Sequence, residues 1–140
     1  MSAVFDANVV VKWFIDDPLA DAALQARIDW PAPTAPALMP FEVANAFRRY
    51  VVRKDLSLAQ ARENLGLVPQ LVRLLDARPF LDDAMVMACG RNHSIQDCIY
   101  AAMALRQGVP LVTADGKLAR KLADVPGLDI HLIAPSSVNE

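Results

Sequence analysis

An apolar run near the N-terminus, Val4-Phe5-Asp6-Ala7-Asn8-Val9-Val10-Val11-Lys12-Trp13-Phe14, is interrupted by one carboxylate and one amide. If residues 3–5 form a buried strand, Asp6 lies at its carboxyl end, where open α/β sheets usually bind ligands. Residues 9–15 would then form the first helix. Asp6 could instead turn the chain or cap that helix, as aspartate does at many such junctions. This stretch predicts an α/β fold and leaves two roles open for Asp6.

The length and composition predict one globular domain over residues 1–140. The 14 basic and 16 acidic side chains nearly cancel, so the chain lacks the overall basic field of many nucleic-acid binders. Any contact with nucleic acid must therefore be local. The hydrophobic fraction of 54% is high, yet no apolar stretch approaches the roughly 20 residues that span a bilayer. We interpret the excess as a surface for a partner protein and expect no membrane span.

The cysteines and histidines give weaker signals. Cys89 and Cys98 are interpreted as buried small hydrophobic residues. Two cysteines without a signal peptide are typical of the reducing cytoplasm, so we expect a cytoplasmic protein without disulfides. His93 and His131 have no evident ligand spacing and are predicted to be surface or structural residues.

Along the rest of the chain, hydrophobic spacing and the capping, proline and glycine residues predict alternating helices and strands. The predicted helices are residues 19–29, 40–54, 57–75, 82–92, 94–108 and 117–123, the third of them bent or divided near Gly66 and Pro69. The predicted strands are residues 34–38, 78–81, 109–113 and 128–133.

Two further carboxylates stand at ends of predicted elements. Asp115 follows strand 109–113 as Asp6 follows the first strand, although it could simply cap the next helix. Glu42 falls in the first turn of helix 40–54, where it could also be a partner of the helix dipole on a solvated face.

A fourth carboxylate, Asp97, lies on the apolar side of helix 94–108, in line with Tyr100. A carboxylate on such a face is costly unless it is paired, protonated or bound to a cation. The alternative is a local role, because Ser94 to Asp97 has the form of a capping box.

Four carboxylates gathered in one cleft would repel one another unless cations lay between them. Mg²⁺ and Mn²⁺ take such oxygen ligands and can activate water for in-line displacement at a phosphodiester, with two metals about 4 Å apart when both are present. The acids therefore indicate metal-dependent phosphodiester hydrolysis that needs no histidine base.

Taken together, the four acidic segments resemble the motifs of PIN-domain ribonucleases, most closely the VapC-type toxins. The segments are residues 4–13, 40–46, 97–105 and 112–115, so the resemblance covers essentially the whole chain. It implies a three-layer α/β/α fold around a central parallel sheet and Mg²⁺-dependent endonucleolytic cleavage of RNA, with Mn²⁺ as a possible replacement. It also implies the role of toxin in a type II toxin–antitoxin system.

Residue by residue, the resemblance assigns catalysis and metal binding to Asp6, Glu42, Asp97 and Asp115. Asn8 and Thr113 are expected to lie next to these acids and to hold them in place without binding the metal themselves. Cys98 departs from the family pattern, where alanine is usual after the third acid.

Basic residues near the acids are candidates for holding RNA. Lys12, Arg49 and Arg53, with Arg48 as a weaker candidate, could form a local basic lip, because a nearly neutral protein must concentrate its phosphate contacts. The alternative is that the arginines lie on a solvated helix face.

A second expected partner, implied by the resemblance, is a cognate VapB-type antitoxin that sends a cationic side chain into the acidic cleft. Helices 19–29 and 42–54 carry the apolar residues that could form its groove, namely Leu24, Ile28, Phe47 and Val51. A homodimer could use the same surface, and both interfaces could coexist.

Two other functions compete with this interpretation. An aspartyl-nucleophile phosphatase would carry a second aspartate two residues after Asp6, where this chain has Asn8. A degenerate PIN-like module that only binds RNA or protein would be expected to have lost an acid, and all four are present.

Overall fold

Within residues 1–135, which this computed structural model describes, short strands pair in parallel to form one five-stranded sheet. The strand order is β3-β2-β1-β4-β5. The predicted α/β fold with a central parallel sheet is therefore confirmed. The strands are β1 (Ser2–Phe5), β2 (Ala32–Pro36), β3 (Arg73–Leu75), β4 (Leu111–Thr113) and β5 (Ile130–Leu132).

Helices connect these strands, as parallel pairing requires. None of the helices in the described part of the chain is long and apolar enough to cross a membrane. The helices are α1 (Ala7–Val11), α2 (Ala20–Asp29), α3 (Met39–Val52), α4 (Leu58–Leu71), α5 (Leu81–Arg91), α6 (Ile95–Gln107) and α7 (Gly116–Lys121), with a 3₁₀ helix at Arg78–Phe80.

Strand β1 lies at the centre of the sheet, with β2 on one side and β4 on the other. Its residues Ala3, Val4 and Phe5 are completely buried, and α6 packs against it. In the register between β1 and β4, Val4 is opposite Leu111 and Phe5 is opposite Val112. The residues that follow these two strands must therefore meet at the same edge of the sheet.

The third strand is where the sequence prediction is wrong. Helix α4 continues through Gly66 and Pro69 without the expected division and ends at Leu71, and β3 follows at Arg73–Leu75 rather than at residues 78–81. Residues 73–75 form a strand because they pair in parallel with β2. Three residues are too few to show the alternating pattern of a strand, so the sequence gives no sign of it.

Two smaller expectations also fail. The first helix ends at Val11 rather than at residue 15. Just beyond it, the Trp13 ring packs at a tilt against Phe5, and its indole N–H donates to the Ala23 carbonyl at 2.9 Å, contacts that depend on distant parts of the chain. Both cysteines are free thiols, but only Cys98 is buried, whereas Cys89 is exposed.

An apolar groove of about 230 Å³ runs between α3 and α4. Its floor contains Phe47 and Val51, as expected, but the second wall comes from α4 and not from α2, because α4 is the helix that packs beside α3. Val52 and Leu58 are 68% and 64% exposed at its rim, and two exposed arginines, Arg48 and Arg62, also line it. The groove thus combines an apolar floor with cationic edges.

Candidate functional site

Asp6 follows β1 directly and is 5% exposed. It occupies the N-cap position of α1, yet its side chain makes no capping hydrogen bond. The pKa of Asp6 is raised from 3.8 to about 7. Burial is the largest cause, the Thr113 hydroxyl acts in the opposite direction, and the charges of Asp97 and Glu42 contribute to the rise. The local capping role therefore does not explain this buried carboxylate, which lies close to two other acids.

Thr113 connects the ends of β1 and β4 through one buried hydroxyl. That hydroxyl donates to Asp6 Oδ2 at 2.8 Å and accepts the backbone N–H of Asp115 at 3.1 Å. A second link is made by Asn8, whose Oδ1 accepts the Ala114 N–H at 3.0 Å. Thr113 thus contacts an acid directly, whereas Asn8 contacts the backbone beside Asp115, and together they fix the two acidic loops relative to each other.

Asp115 has the capping role that its sequence position suggested. Its Oδ1 accepts the N–H groups of Lys117 and Leu118 at 2.9 and 3.2 Å, which fixes the start of α7. The same side chain also approaches Asp97, because one carboxylate oxygen from each belongs to a set of atoms within 4.8 Å of one another. Asp115 therefore caps α7 and also belongs to the acidic cluster.

Glu42 is held by a residue that the sequence prediction assigned only to the apolar face of α6. The Tyr100 hydroxyl donates to Glu42 Oε1 at 2.5 Å, and Tyr100 itself is completely buried. Burial raises the pKa of Glu42; the bond from Tyr100 lowers it, and the Asp97 charge raises it further. Burial and the neighbouring Glu42 raise the pKa of Tyr100, which keeps the phenol protonated as a donor.

Asp97 forms only half of the predicted capping box. Its backbone N–H donates to the Ser94 hydroxyl at 3.2 Å, but its carboxylate turns to His93, with Asp97 Oδ2 and His93 Nε2 separated by 2.8 Å. The His93 side chain is only 7% exposed, so of the two predicted environments, surface or structural, the structural one applies. Its spacing of four residues from Asp97 gives only a weak signal, because His93 precedes the N-cap residue Ser94 and so lies outside α6.

The four predicted acids approach one another at the carboxyl edge of the sheet. Asp97 interacts with each of the other three, because its charge acts on Asp6 and Glu42 and its carboxylate lies near that of Asp115. Mutual repulsion and burial raise the free energy of this arrangement when all four are ionised. A hard divalent cation would relieve that cost, and the donor set of carboxylate oxygens is the one such cations prefer.

The three predicted basic residues differ in their surroundings. Lys12 is half-buried, and its ammonium donates to the Asn8 carbonyl at 3.0 Å. Arg53 stacks on the Tyr50 ring at 4.8 Å and lies 3.6 Å from Asp55. Arg49 is exposed and lies two helical turns, about 10 Å, beyond Glu42 on the same side of α3.

The sequence matches a known protein family over most of its length. A family model described as the PIN domain matches residues 3–123. Ribonuclease VapC12 of Mycobacterium tuberculosis is 35% identical over 121 residues, which cover 84% of this chain and 89% of that protein. Ribonuclease VapC1 of the same organism is 31% identical over 132 residues, covering 92% and 94%.

The fold is shared with solved structures of lower identity. A toxin–antitoxin complex from Klebsiella pneumoniae contains a chain that superposes with a TM-score of 0.68 at 17% identity, covering 97% of this chain and 99% of that one. The likeness confirms the predicted three-layer α/β/α fold.

The raised pKa of Asp6 makes stability depend on pH in a defined direction. Between pH 3.8 and about 7 the folded state holds a proton that the unfolded state has lost, so stability falls as the pH rises through this window. We expect Asp6→Asn to raise the Tm of the metal-free protein by about 5 °C or more at pH 8, with a gain that shrinks towards pH 4. Thermal unfolding in chelator measures it.

The matched control is Asp16→Asn, the same change at an exposed carboxylate, which should leave the Tm unchanged. Added Mg²⁺ should stabilise the wild type more than Asp6→Asn. A lower Tm for Asp6→Asn at pH 8 would show that the Asp6 charge does not destabilise the fold.

Proposed function

The chain belongs to the PIN domain family, and from this premise we propose that it is a metal-dependent endoribonuclease that acts as the toxin of a toxin–antitoxin pair. Its relatives VapC12 and VapC1 are named ribonucleases, and a structure of the same fold comes from a toxin–antitoxin complex. The substrate is RNA, the cation is Mg²⁺ or Mn²⁺, and the protein works in the cytoplasm.

The position of Asp97 is the observation that carries this proposal. Its charge acts on Asp6 and Glu42, and one of its carboxylate oxygens lies within 4.8 Å of one from Asp115. This placement supports a site in which the four acids hold one or two cations together. A bound cation would polarise the scissile phosphate and lower the pKa of a coordinated water. The protein contributes positioning, since Thr113 and Asn8 fix the loops of Asp6 and Asp115 and Tyr100 fixes Glu42.

Removing the shared carboxylate tests the reaction. We expect Asp97→Asn to lower the rate of RNA cleavage at least about 100-fold, because the acids on both sides lose their common partner. The assay uses purified, antitoxin-free protein with Mg²⁺, and sequencing of the RNA ends locates the cut. The control Asp82→Asn, in the first turn of α5, should keep full activity. Cleavage that persists in chelator would refute metal dependence.

We propose further that Arg49 is the main phosphate contact of the basic lip, ahead of Arg53 and Lys12. Arg49 is exposed on the Glu42 side of α3, whereas Arg53 already has an aromatic and an acidic neighbour and Lys12 binds a backbone carbonyl. An exposed arginine about 10 Å along α3 from Glu42 suits the phosphates next to the scissile bond.

A pair of matched substitutions separates the two arginines. In an Asp97→Asn background, which prevents cleavage, Arg49→Gln should weaken binding of a labelled RNA and reduce its salt slope by about one, while Arg53→Gln should have a smaller effect. Fluorescence anisotropy over a series of salt concentrations measures both quantities. Equal effects, or none, would remove Arg49 from this role.

The antitoxin is the partner that the groove between α3 and α4 fits. An amphipathic helix could place its apolar face against Phe47 and Val51 and its acidic residues beside Arg48 and Arg62. We assign a second copy of the chain to a different surface, the exposed apolar residues Leu81, Met85 and Val86 of α5.

Two valines of similar exposure distinguish these surfaces, since Val52 is 68% and Val86 is 71% exposed. We expect Val52→Glu to weaken antitoxin binding at least about 10-fold and to leave the mass of the free protein unchanged, because a charge would be buried on binding. Val86→Glu should weaken self-association of the free protein and leave antitoxin binding unchanged. Titration calorimetry and light scattering measure the two effects, and antitoxin binding that survives Val52→Glu would exclude this groove.

A further inference from the structure

His93 lies against the acidic site in a fixed position. It follows Asn92, whose left-handed conformation (φ 51°) ends α5, and its backbone N–H donates to the Ala88 carbonyl at 3.1 Å. Its Nε2 faces Asp97, and its side chain is 93% buried, since only 7% is exposed. Both the backbone and the ring of His93 are thus held where the nitrogen faces the acids.

The distances in this corner are close to those that a metal site requires. One atom from each of His93, Asp97 and Asp115 lies within 4.8 Å of the other two. Ligands at about 2.1 Å from one cation stand about 3.0 Å apart when adjacent and about 4.2 Å apart when opposite. The 2.8 Å between His93 Nε2 and Asp97 Oδ2 is close to the first of these values. Small side-chain shifts would therefore close the three atoms around one ion.

We propose that His93 is a direct metal ligand, which together with Asp97 and Asp115 forms a mixed nitrogen and oxygen position beside the all-oxygen position of Asp6 and Glu42. Asp97 is then shared by the two positions. The inference deepens the proposed function and rests on it only in that the acids hold a cation. Neutral imidazole nitrogen is a common ligand of transition metals.

A nitrogen ligand changes which metals the site prefers. Mg²⁺ favours oxygen ligands, whereas Mn²⁺ and Co²⁺ also accept imidazole. The position at His93 should therefore bind Mn²⁺ and Co²⁺ more tightly than Mg²⁺, while the position at Asp6 and Glu42 lacks this bias. The competing explanation is that His93 only orients Asp97 through a hydrogen bond.

Pulsed EPR on the untagged wild-type protein separates these explanations without any variant. With less than one equivalent of Mn²⁺, electron spin echo modulation should show coupling to a ¹⁴N nucleus, and incorporation of ¹⁵N-labelled histidine should change that coupling to the ¹⁵N pattern. His131, the other histidine of the chain, packs against Trp30 with ring centroids 4.8 Å apart. His131→Gln should leave the signal unchanged.

Affinity measurements on His93→Gln complete the test, because glutamine can still donate an N–H to Asp97 but offers no imidazole nitrogen. We expect Mn²⁺ or Co²⁺ binding to weaken at least about 10-fold and Mg²⁺ binding to change less than about 3-fold. Calorimetry in metal-depleted buffer gives both values.

Several results would overturn the inference. They are the lack of histidine coupling in Mn²⁺-loaded wild type, an equal loss of Mg²⁺ and Mn²⁺ binding in His93→Gln, and failure of the wild type to bind Mn²⁺. None of these readouts involves RNA. If the protein cleaves RNA but shows no histidine coupling, His93 is not a metal ligand and the proposed function stands. If histidine coupling is seen without RNA cleavage, His93 is a ligand and the proposed function is wrong.

Discussion

A buried carboxylate held among other carboxylates is the constraint on which this structure depends. Asp6 is 5% exposed, and its compensating hydrogen bond from a side chain comes from Thr113. Burial and the charges of Asp97 and Glu42 together raise its pKa to about 7, so near neutral pH the metal-free site is close to accepting a proton. The fold tolerates this cost because the surrounding sheet and helices fix the side chain in place.

The parallel sheet explains why the cost arises at this place. Strands β1 and β4 are neighbours and run in the same direction, so the loops that carry Asp6 and Asp115 lie at the same edge of the sheet. Thr113 links the two loops, because its single hydroxyl bonds to the Asp6 carboxylate and to the Asp115 backbone. Helices α3 and α6 add Glu42 and Asp97 from outside the sheet. The two helices are joined by the hydrogen bond from Tyr100 of α6 to Glu42 of α3.

Much of this arrangement could be predicted from the sequence, because its signals are local. An acid directly after an apolar run identified Asp6 and Asp115, and helical spacing placed Asp97 on the face that also carries Tyr100. Strand β3 could not be predicted, since three residues become a strand only through pairing with β2. The orientation of His93 was equally hidden, because it depends on the left-handed turn that joins α5 to α6.

The same electrostatic cost accounts for both activation and inhibition under the proposed function. Charge repulsion that destabilises the metal-free site is released when any cation enters it, whether a divalent ion or the guanidinium of an antitoxin arginine. A guanidinium pairs with carboxylates through directed hydrogen bonds but cannot lower the pKa of a water as a metal does. An inhibitor of this site therefore needs only a firm anchor elsewhere, such as the apolar groove, and one cationic side chain that competes with the metal. Inhibition then requires no change in the fold, because the acids are fixed before either cation arrives.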